Sequence, residues 1–416
     1  MIGIVAGVSS ALLGTFITYY HHYLYRGGPF QKVSEFETYF SQDYYEARDK
    51  FRDAVGRHPK MKLHSLKLDV EGEEEGNDLT IDIGLLRRSR SKVLIHISGT
   101  HGVEGFPGSA IQTSLLLNDT MKSHFDYEDE SLPTIVFVHA LNPYGFSKLR
   151  RFNENNVDLN RNFLQDHQFD DVQARDPNHI GYVDMMDFIN PTQSPEKTGW
   201  DFFFPQAVHA IAINGYNKLK QCIVTGNYHF PKSLFYGGNE LQQSHKLLKD
   251  FLLTHLDMED IKTVGILDVH SGLGKSGFDT IGLTGVGLEE ASQIFGGSDH
   301  LFIPEDQDID DSGALSGYDK VTGTVPEGLA EHFFSSNAKI YPVTQEFGTL
   351  PGVLVFKAMR AENTVYQYDP KNRHPKYSHA LRDAFYFDKN PEWKNKVISR
   401  GQEVFYQLYS HLARLE

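Results

Sequence analysis

Three residues, His101, Glu104 and His270, have side chains that could hold a metal ion. His101 and Glu104 lie three residues apart in SGTHGVEG (98–105), and His270 ends the apolar run VGILDVH (264–270). Residues three apart can face one point on a single turn of chain. Two histidines and a glutamate are a common ligand set of catalytic zinc, which keeps one position for water. The sequence therefore predicts a zinc site, although a polar loop and a core histidine are the plainer alternatives for such short motifs.

Two further carboxylates are candidates for the same site. Asp268 lies two residues before His270 on the same face of a strand, where it could hydrogen-bond site groups or cap a turn. Glu346 lies in VTQEFGT (343–349), an otherwise apolar strand that is an unfavourable place for a lone carboxylate. Beside a metal, Glu346 could take a proton from water and pass it to a leaving amine. The alternative for Glu346 is a strand-end carboxylate paired with an arginine.

A polar, basic loop lies between the two halves of the predicted metal site. The stretch ALNPYGFSKLRRFNENNVDLNRNF (140–163) contains Arg150, Arg151, Asn160 and Arg161. Guanidinium groups bind carboxylates in pairs of hydrogen bonds, and they stabilise oxyanions that develop during a reaction. The loop therefore predicts recognition of a negatively charged group, with ordinary surface ion pairs as the alternative.

Apolar runs and helical patterns indicate the elements that must position these residues. Short apolar runs predict buried strands over 92–99, 134–140 and 264–270, and the patterns at 79–86 and 341–348 predict two more strands. Helices are expected over 34–57, 107–117, 353–366 and the last 24 residues. Strands alternate with helices, so we expect a layered α/β fold with a mixed, mostly parallel central sheet. His101 and His270 then follow the carboxyl ends of strands, where ligands bind in open α/β sheets.

The first residues of the chain predict a membrane anchor. Residues 2–20 carry no charged side chain, and this length is close to the ~20 residues that cross a bilayer as a helix. A cleaved signal peptide and a buried or amphipathic helix are the alternatives. Arg26 and Lys32 follow the segment and favour a cytosolic body. We therefore expect an anchor over 1–25, a linker helix over 26–58 and a catalytic domain over 59–416, with a loop-like insertion at 165–205.

Composition excludes several classes of protein. The formal net charge is −15, which argues against general nucleic-acid binding because that needs a basic surface. The chain has one cysteine, Cys222, so it can form neither an internal disulfide nor a cysteine-based zinc site. Any metal must be held by histidine and carboxylate side chains.

Taken in order, these motifs resemble those of the zinc carboxypeptidases. The shared order is HxxE, then NPYG and NVDLNRNF, then a histidine followed by Ser-Gly, then a late glutamate in a strand. The segments THGVEGFPGSAIQ and QEFGTLPGVLVFKAMRAEN resemble the uncharacterised branch labelled only as a domain of unknown function, which is related to aspartoacylase and succinylglutamate desuccinylase. The resemblance covers roughly residues 60 to 370 and implies a three-layer α/β/α sandwich of the zinc-peptidase kind.

The resemblance also implies a role for each matching residue. It implies one Zn²⁺ ion on His101, Glu104 and His270, with Asp158 orienting a zinc-binding histidine. It further implies that Glu346 is the general base and acid, that Arg151 stabilises the oxyanion, and that Asn160 and Arg161 grip the terminal carboxylate of the substrate. The substrate-covering tyrosine of the family has no clear counterpart, and Tyr318 is a candidate by position only. Leu315, Ser316 and Gly317 are candidates for the specificity pocket.

Three functions remain open from the sequence. The first is a metallocarboxypeptidase acting on peptide C-termini, and the second is an amidohydrolase acting on N-acyl amino acids. Both of these functions require a substrate with a free carboxylate. The third is a non-catalytic, membrane-anchored binding protein that kept the fold.

Overall fold

The computed structural model describes residues 33–70, 78–119, 125, 129–198, 202–302, 321–334, 337–372 and 375–415. A mixed sheet of eight strands forms the centre of this part of the chain, in the order β1-β2-β4-β3-β5-β8-β6-β7. The strands are β1 (Lys62–Lys67), β2 (Thr80–Leu86), β3 (Lys92–Ser98), β4 (Thr134–His139), β5 (Thr263–Gly272), β6 (Asp279–Leu283), β7 (Leu301–Phe302) and β8 (Lys339–Gly348).

The middle of the sheet is parallel and its flanks are largely antiparallel. Strands β4, β3, β5 and β8 run parallel to one another, β2 is antiparallel to both β1 and β4, and β6 is antiparallel to β8. Every residue of β3, β4 and β5 is buried. Strands covered on both faces read as continuous apolar runs, which explains why these three were predictable. The mixed α/β fold with a mostly parallel centre is confirmed.

Helices cover both faces of the sheet. In chain order they are α1 (Tyr44–Gly56), α2 (Gly105–Leu117), α3 (Pro143–Lys148), α4 (Asp166–Ala174), α5 (Met186–Ile189), α6 (Pro195–Thr198), α7 (Phe203–Asn214), α8 (Tyr216–Thr225), α9 (Gln243–His255), α10 (Leu288–Phe295), α11 (Val325–His332), α12 (Gly352–Tyr368), α13 (Pro375–Phe385) and α14 (Pro391–Arg414).

Alternating side chains of β3 show the layers directly. Leu94 belongs to the apolar cluster that includes Ile111 of α2 and Leu408 of α14. Its neighbours in the strand, Val93 and Ile95, belong to the cluster on the other face, which includes residues of α9 and α11. Successive side chains of a strand point to opposite faces, so the sheet lies between two helical layers.

The predicted helix over 34–57 is shorter than expected and is part of the core. It begins at Tyr44, where the Asp43 carboxylate accepts a hydrogen bond from the Glu46 amide at 2.9 Å, and residues 37–39 form a separate 3₁₀ turn. Tyr44 and Phe51 are fully buried against the body. The packing on the body was expected, and the division at residue 58 stays a prediction.

The prediction of a loop over 165–205 is wrong in part. Helix α4 begins there with Gln165 and Gln168 capping each other's backbone amides, and α5 and α6 follow as single turns. These helices are too short to show a clear helical period in the sequence, which is why the stretch resembled a loop.

The predicted N-terminal anchor over 1–25 lies outside the described residues, and so do Leu315, Ser316, Gly317 and Tyr318. Within the described ranges, every helix is too short or too polar to span a bilayer.

Candidate metal centre and active site

The turn after β3 positions His101 and Glu104. A 3₁₀ turn at Gly102–Glu104 follows His101 directly, and the Gly102 and Val103 amides donate to backbone carbonyls of Arg151 and Arg150 at 3.2 and 2.8 Å. A Cβ atom at position 102 would lie 2.0 Å from the Gly145 carbonyl carbon. Only glycine therefore lets the metal-site turn pack this closely on the neighbouring loop.

The three predicted ligands converge although Glu104 and His270 lie 166 positions apart in the sequence. Ligand atoms of His101, Glu104 and His270 all lie within 4.8 Å of one another, and all three residues are buried. The Nδ1 atom of His101 lies 3.0 Å from Glu104 Oε1, and the Nδ1 atom of His270 lies 3.2 Å from Glu104 Oε2. The two Nδ1 atoms are 3.2 Å apart.

A carboxylate lies within hydrogen-bond distance of the outer nitrogen of each histidine, which is Nε2, the ring nitrogen that faces away from the other two ligands. His101 Nε2 lies 2.9 Å from Asp158 Oδ1, and His270 Nε2 lies 2.9 Å from Asp268 Oδ2. A carboxylate accepts hydrogen bonds, so this network assigns the ring proton to Nε2 in both residues. The lone pairs of the two Nδ1 atoms then face each other and the Glu104 carboxylate.

Such a cluster of electron pairs calls for a cation at its centre. Without a metal, a proton on His270 is that cation: burial disfavours a charged histidine, but Asp268 and Glu104 more than offset this and raise the pKa of His270 well above its ordinary value. A bound metal ion would take the place of this proton. Burial likewise opposes ionisation of Glu104, yet His101, His270 and Arg151 hold its pKa below the usual range. Buried nitrogen and carboxylate donors with braced outer nitrogens are the donor set that zinc prefers. The residues present thus fit a zinc ion.

Arg151 and Asp158 contact the cluster of candidate metal ligands. Arg151 donates from Nη1 to Glu104 Oε1 at 2.8 Å and from Nε to Asp158 Oδ2 at 3.0 Å. Asp158 therefore contacts both His101 and Arg151, which holds its pKa well below the ordinary value in spite of burial. Two of the five N–H groups of Arg151 are used in these contacts, so the guanidinium can still donate to a substrate oxygen.

Glu346 lies beside His270 on the next strand. The register of β5 and β8 pairs the two residues directly, and the Leu273 amide donates to Glu346 Oε1 at 2.8 Å. Burial and the neighbouring Glu104 carboxylate raise the pKa of Glu346 to about 8. A carboxyl group with so high a pKa can hold and release a proton near neutral pH.

Asn160 and Arg161 lie one step further from the ligands. The Asn160 amide donates to Asp158 Oδ1 at 3.0 Å, and its side-chain Oδ1 accepts from the Val325 amide at 2.9 Å. The Arg161 guanidinium is buried and donates to the carbonyls of Val224, at 3.0 and 2.6 Å, and of Asn160, at 2.8 Å. The Arg161 backbone amide also donates to the Asp158 carbonyl at 2.9 Å, so both residues are tied to the centre through Asp158.

Arg150, also singled out in the sequence, lies in a different network. Its Nε donates to Glu362 Oε1 at 2.8 Å, and its guanidinium stacks 3.2 Å from the centroid of the Tyr366 ring. The two arginines of the basic loop therefore make different contacts: Arg150 fastens the loop to α12, and Arg151 contacts the candidate metal ligands.

The family model described as "Protein of unknown function (DUF2817)" matches residues 40–400. The chain belongs to the DUF2817 family. This confirms the resemblance to a branch labelled as a domain of unknown function. No curated protein matches this DUF2817 member.

The solved structures to which this chain is similar include two that are metallopeptidases by name. A candidate metallopeptidase from Shewanella denitrificans OS217 is 13% identical, with 89% of this chain and 90% of that chain covered and a TM-score of 0.40. The thrombin activatable fibrinolysis inhibitor is 11% identical (94% and 82% covered, TM-score 0.45). A Pseudomonas aeruginosa metallo-carboxypeptidase in complex with (2-guanidinoethylmercapto)succinic acid is 14% identical (90% and 71%, TM-score 0.41). Likeness at these identities assigns no activity to the DUF2817 chain.

Two residues at the site had no signal in the sequence. Thr100 donates from Oγ1 to the two carboxylate oxygens of Asp268 at 2.8 and 3.0 Å, so it connects the turn that carries His101 to the strand that carries His270. Phe235 lies under the guanidinium of Arg151. Neither is near its partner along the chain, and ordinary threonine and phenylalanine residues carry no motif.

Proposed function

We propose that this DUF2817 protein is a zinc-dependent hydrolase that cleaves an amide bond next to a free carboxylate, most simply a metallocarboxypeptidase. The observation that carries the proposal is the convergence of two histidine Nδ1 atoms and a carboxylate, with both outer nitrogens braced by Asp158 and Asp268. Nitrogen and carboxylate donors that converge in a buried place attract a cation, either a proton on His270 or a metal ion. Because both outer nitrogens are already held by carboxylates, the arrangement suits a zinc ion better than a purely structural role.

His101, Glu104 and His270 would hold the zinc ion. When bound, zinc supplies a Lewis acid that makes water a better nucleophile and polarises a carbonyl group. The chain's own residues supply the ligand orientation: Asp158 and Asp268 fix which ring nitrogen of each histidine is free to bind.

Glu346 would move the proton in the reaction. Its carboxyl group lies beside His270, and in the metal-free protein burial with the neighbouring Glu104 raises its pKa to about 8. The positive charge of a zinc ion held by Glu104 and His270 would favour the ionised form, which accepts a proton. We assign it to accept a proton from the attacking water and deliver it to the nitrogen of the leaving amine. Arg151 would donate hydrogen bonds to the carbonyl oxygen as negative charge develops there.

Asn160 and Arg161 would recognise the free carboxylate of the substrate. Arg161 is a buried cation whose bonds to backbone carbonyls fix its orientation, and an oriented guanidinium binds a carboxylate with little loss of side-chain entropy. This recognition limits the reaction to amide bonds near a free carboxylate.

A second candidate is hydrolysis of N-acyl amino acids. The side chains of His101, Glu104 and His270 are only 2–4% exposed, and that of Arg151 only 10%. So enclosed a centre favours small substrates over long peptides. Both candidates use the same residues, and they differ only in the size of the group on the acyl side.

The experiment is a metal and substrate assay on the full-length protein. We expect about one zinc per chain by elemental analysis, in line with a single site, and a loss of that zinc in the His101→Ala/His270→Ala variant. The exposed His379→Ala variant is the matched control and should keep its zinc.

Mass spectrometry of a peptide pool and of a panel of N-acyl amino acids then separates the two candidates. Loss of C-terminal residues from peptides supports the carboxypeptidase, and release of free amino acids from the panel alone supports the second candidate. Absence of turnover on both by zinc-loaded protein would contradict the proposed function.

A further inference from the structure

Phe235 adopts a backbone conformation that is unusual for a bulky residue. Its φ angle is 56°, in the left-handed region, and its side chain is 4% exposed. Left-handed backbone is unfavourable in a non-glycine residue and persists where surrounding contacts enforce it, often at functional sites. Contacts around Phe235 should therefore explain why it keeps this conformation.

The backbone around Phe235 is held on every side. The Leu234 amide donates to Asn190 Oδ1 at 2.7 Å, and the Leu234 carbonyl accepts from the Tyr182 hydroxyl at 2.8 Å. The carbonyl of Phe235 itself accepts from the Asn227 amide at 3.0 Å. These contacts fix the direction in which the Phe235 ring points.

The same stretch is fastened to the metal centre. The Asp158 amide donates to the Tyr236 carbonyl at 2.7 Å, and Asp158 in turn binds His101 and Arg151 through its side chain. Phe235 therefore lies in a segment whose position is fixed relative to the metal ligands, although the sequence separates them widely.

The ring of Phe235 lies against two guanidinium groups at once. The Cζ atom of Arg151 lies 5.0 Å from the ring centroid, and the Cζ atom of Arg161 lies 5.8 Å from it. Both distances fall within the ~6 Å reach of a cation–π contact. The two arginines are those to which the proposed function gives the developing oxyanion and the free carboxylate.

Two guanidinium groups this close to one ring carry like charges, so a favourable contact is needed to offset their repulsion. Each guanidinium repels the other, and Arg151 contributes to lowering the pKa of Arg161, after burial as the larger cause. The face of an aromatic ring attracts cations and leaves the N–H groups at the guanidinium edge free to donate. A ring shared by the two arginines can therefore fix their spacing without occupying their donors.

We propose that Phe235 is a positioning residue that holds Arg151 and Arg161 as a pair, at the spacing needed to contact the scissile carbonyl and the free carboxylate of one substrate. This inference rests on the proposed function. It adds a specificity device, since the distance between the two cations sets how far the cleaved bond lies from the carboxylate. The left-handed backbone is the strain that directs the ring to this place.

The test compares Phe235→Leu with Phe235→Tyr in the full-length, zinc-loaded protein. Leucine keeps apolar volume but has no ring, whereas tyrosine keeps the ring. The matched control is Phe152→Leu, since Phe152 is a buried ring that packs edge-on against Phe235 at 6.3 Å and lies by Arg150. Zinc content and the thermal unfolding midpoint show that each variant is folded, and Phe235→Met replaces Phe235→Leu if the latter does not fold.

Two readouts are measured. The first is the ratio of dissociation constants, by calorimetry, for a panel of N-acetylamino acids and for the matching carboxamides, which lack the carboxylate charge. The second is kcat and KM on the best substrate. A cation–π contact is worth about 0.5–1 kcal/mol. Loss of the Arg161 contact alone should lower the preference for the carboxylate about 2- to 5-fold in Phe235→Leu, and loss of both the Arg151 and the Arg161 contacts should lower kcat/KM about 5- to 30-fold. Phe235→Tyr should stay within about 2-fold of wild type, because tyrosine keeps the aromatic face.

The inference is overturned if wild type shows no preference for the carboxylate, if Phe235→Leu keeps both values, or if Phe152→Leu lowers them equally. A lowered preference in a protein that turns over no substrate would support the pairing of the arginines and count against the hydrolase. The two failures can thus be told apart.

Discussion

Substitution of Asp268 by asparagine should weaken zinc binding without unfolding the protein. Asp268 accepts a hydrogen bond from His270 Nε2 at 2.9 Å and from Thr100 Oγ1 at 2.8 and 3.0 Å. Asparagine keeps the size and one acceptor oxygen but removes the charge. A hydrogen bond to a charged group contributes about 1.5–3 kcal/mol and a neutral one about 0.5–1.5 kcal/mol. The loss is therefore about 1–1.5 kcal/mol, or roughly a 10-fold rise in the dissociation constant for zinc.

Competition with a chromogenic chelator measures that dissociation constant in wild type and in Asp268→Asn. The matched control is Asp82→Asn, because Asp82 is also fully buried and is bound to Arg52 at 2.6 Å. The control should lower the free energy of unfolding but keep wild-type zinc affinity in the folded protein. Equal zinc affinity in wild type and Asp268→Asn, or an equal loss in Asp82→Asn, would refute the assigned role of Asp268.

Three further outcomes are expected. Glu346→Gln should lower kcat by about 10²- to 10⁴-fold and leave zinc content unchanged, and a kcat within 10-fold of wild type would remove Glu346 from proton transfer; the exposed Glu392→Gln is the control. Gly102→Ala should lower the free energy of unfolding by about 1–3 kcal/mol, because its Cβ would lie 2.0 Å from Gly145, whereas Gly56→Ala, with open space around it, should not. Burial lowers the pKa of His139 to about 4, so the unfolded chain binds a proton there at a higher pH than the folded protein does, and stability falls as the pH drops from ~6.5 towards 4. In urea unfolding, His139→Asn should therefore lose about 2 kcal/mol less than wild type between pH 6.5 and 5.

The parts of the fold that could be predicted from sequence are those that are buried on both faces. Strands β3, β4 and β5 are continuous apolar runs, and their bounds were predicted to within about two residues, the usual scatter of such assignments. Strand β6 was missed because its five residues, Asp279–Leu283, are only alternately buried and begin with an aspartate. Strand β7 has two residues, too few to form any pattern.

The candidate site divides in the same way. His101, Glu104 and His270 could be found because each follows or ends a predicted strand, and parallel strands bring their carboxyl ends to one edge of the sheet. Arg161 was found as a candidate, but its bonds to the Val224 carbonyl at the end of α8 were not. Phe235 and Thr100 act through contacts between segments distant in sequence, and such contacts leave no local spacing or period to detect.

The most direct test of the account is X-ray diffraction from zinc-loaded crystals at wavelengths on either side of the zinc absorption edge. One anomalous peak is expected, bounded by His101 Nδ1, His270 Nδ1 and the Glu104 carboxylate. A peak bound by other residues, or none at this position in protein loaded with zinc, would contradict the assignment of these three residues as the metal ligands.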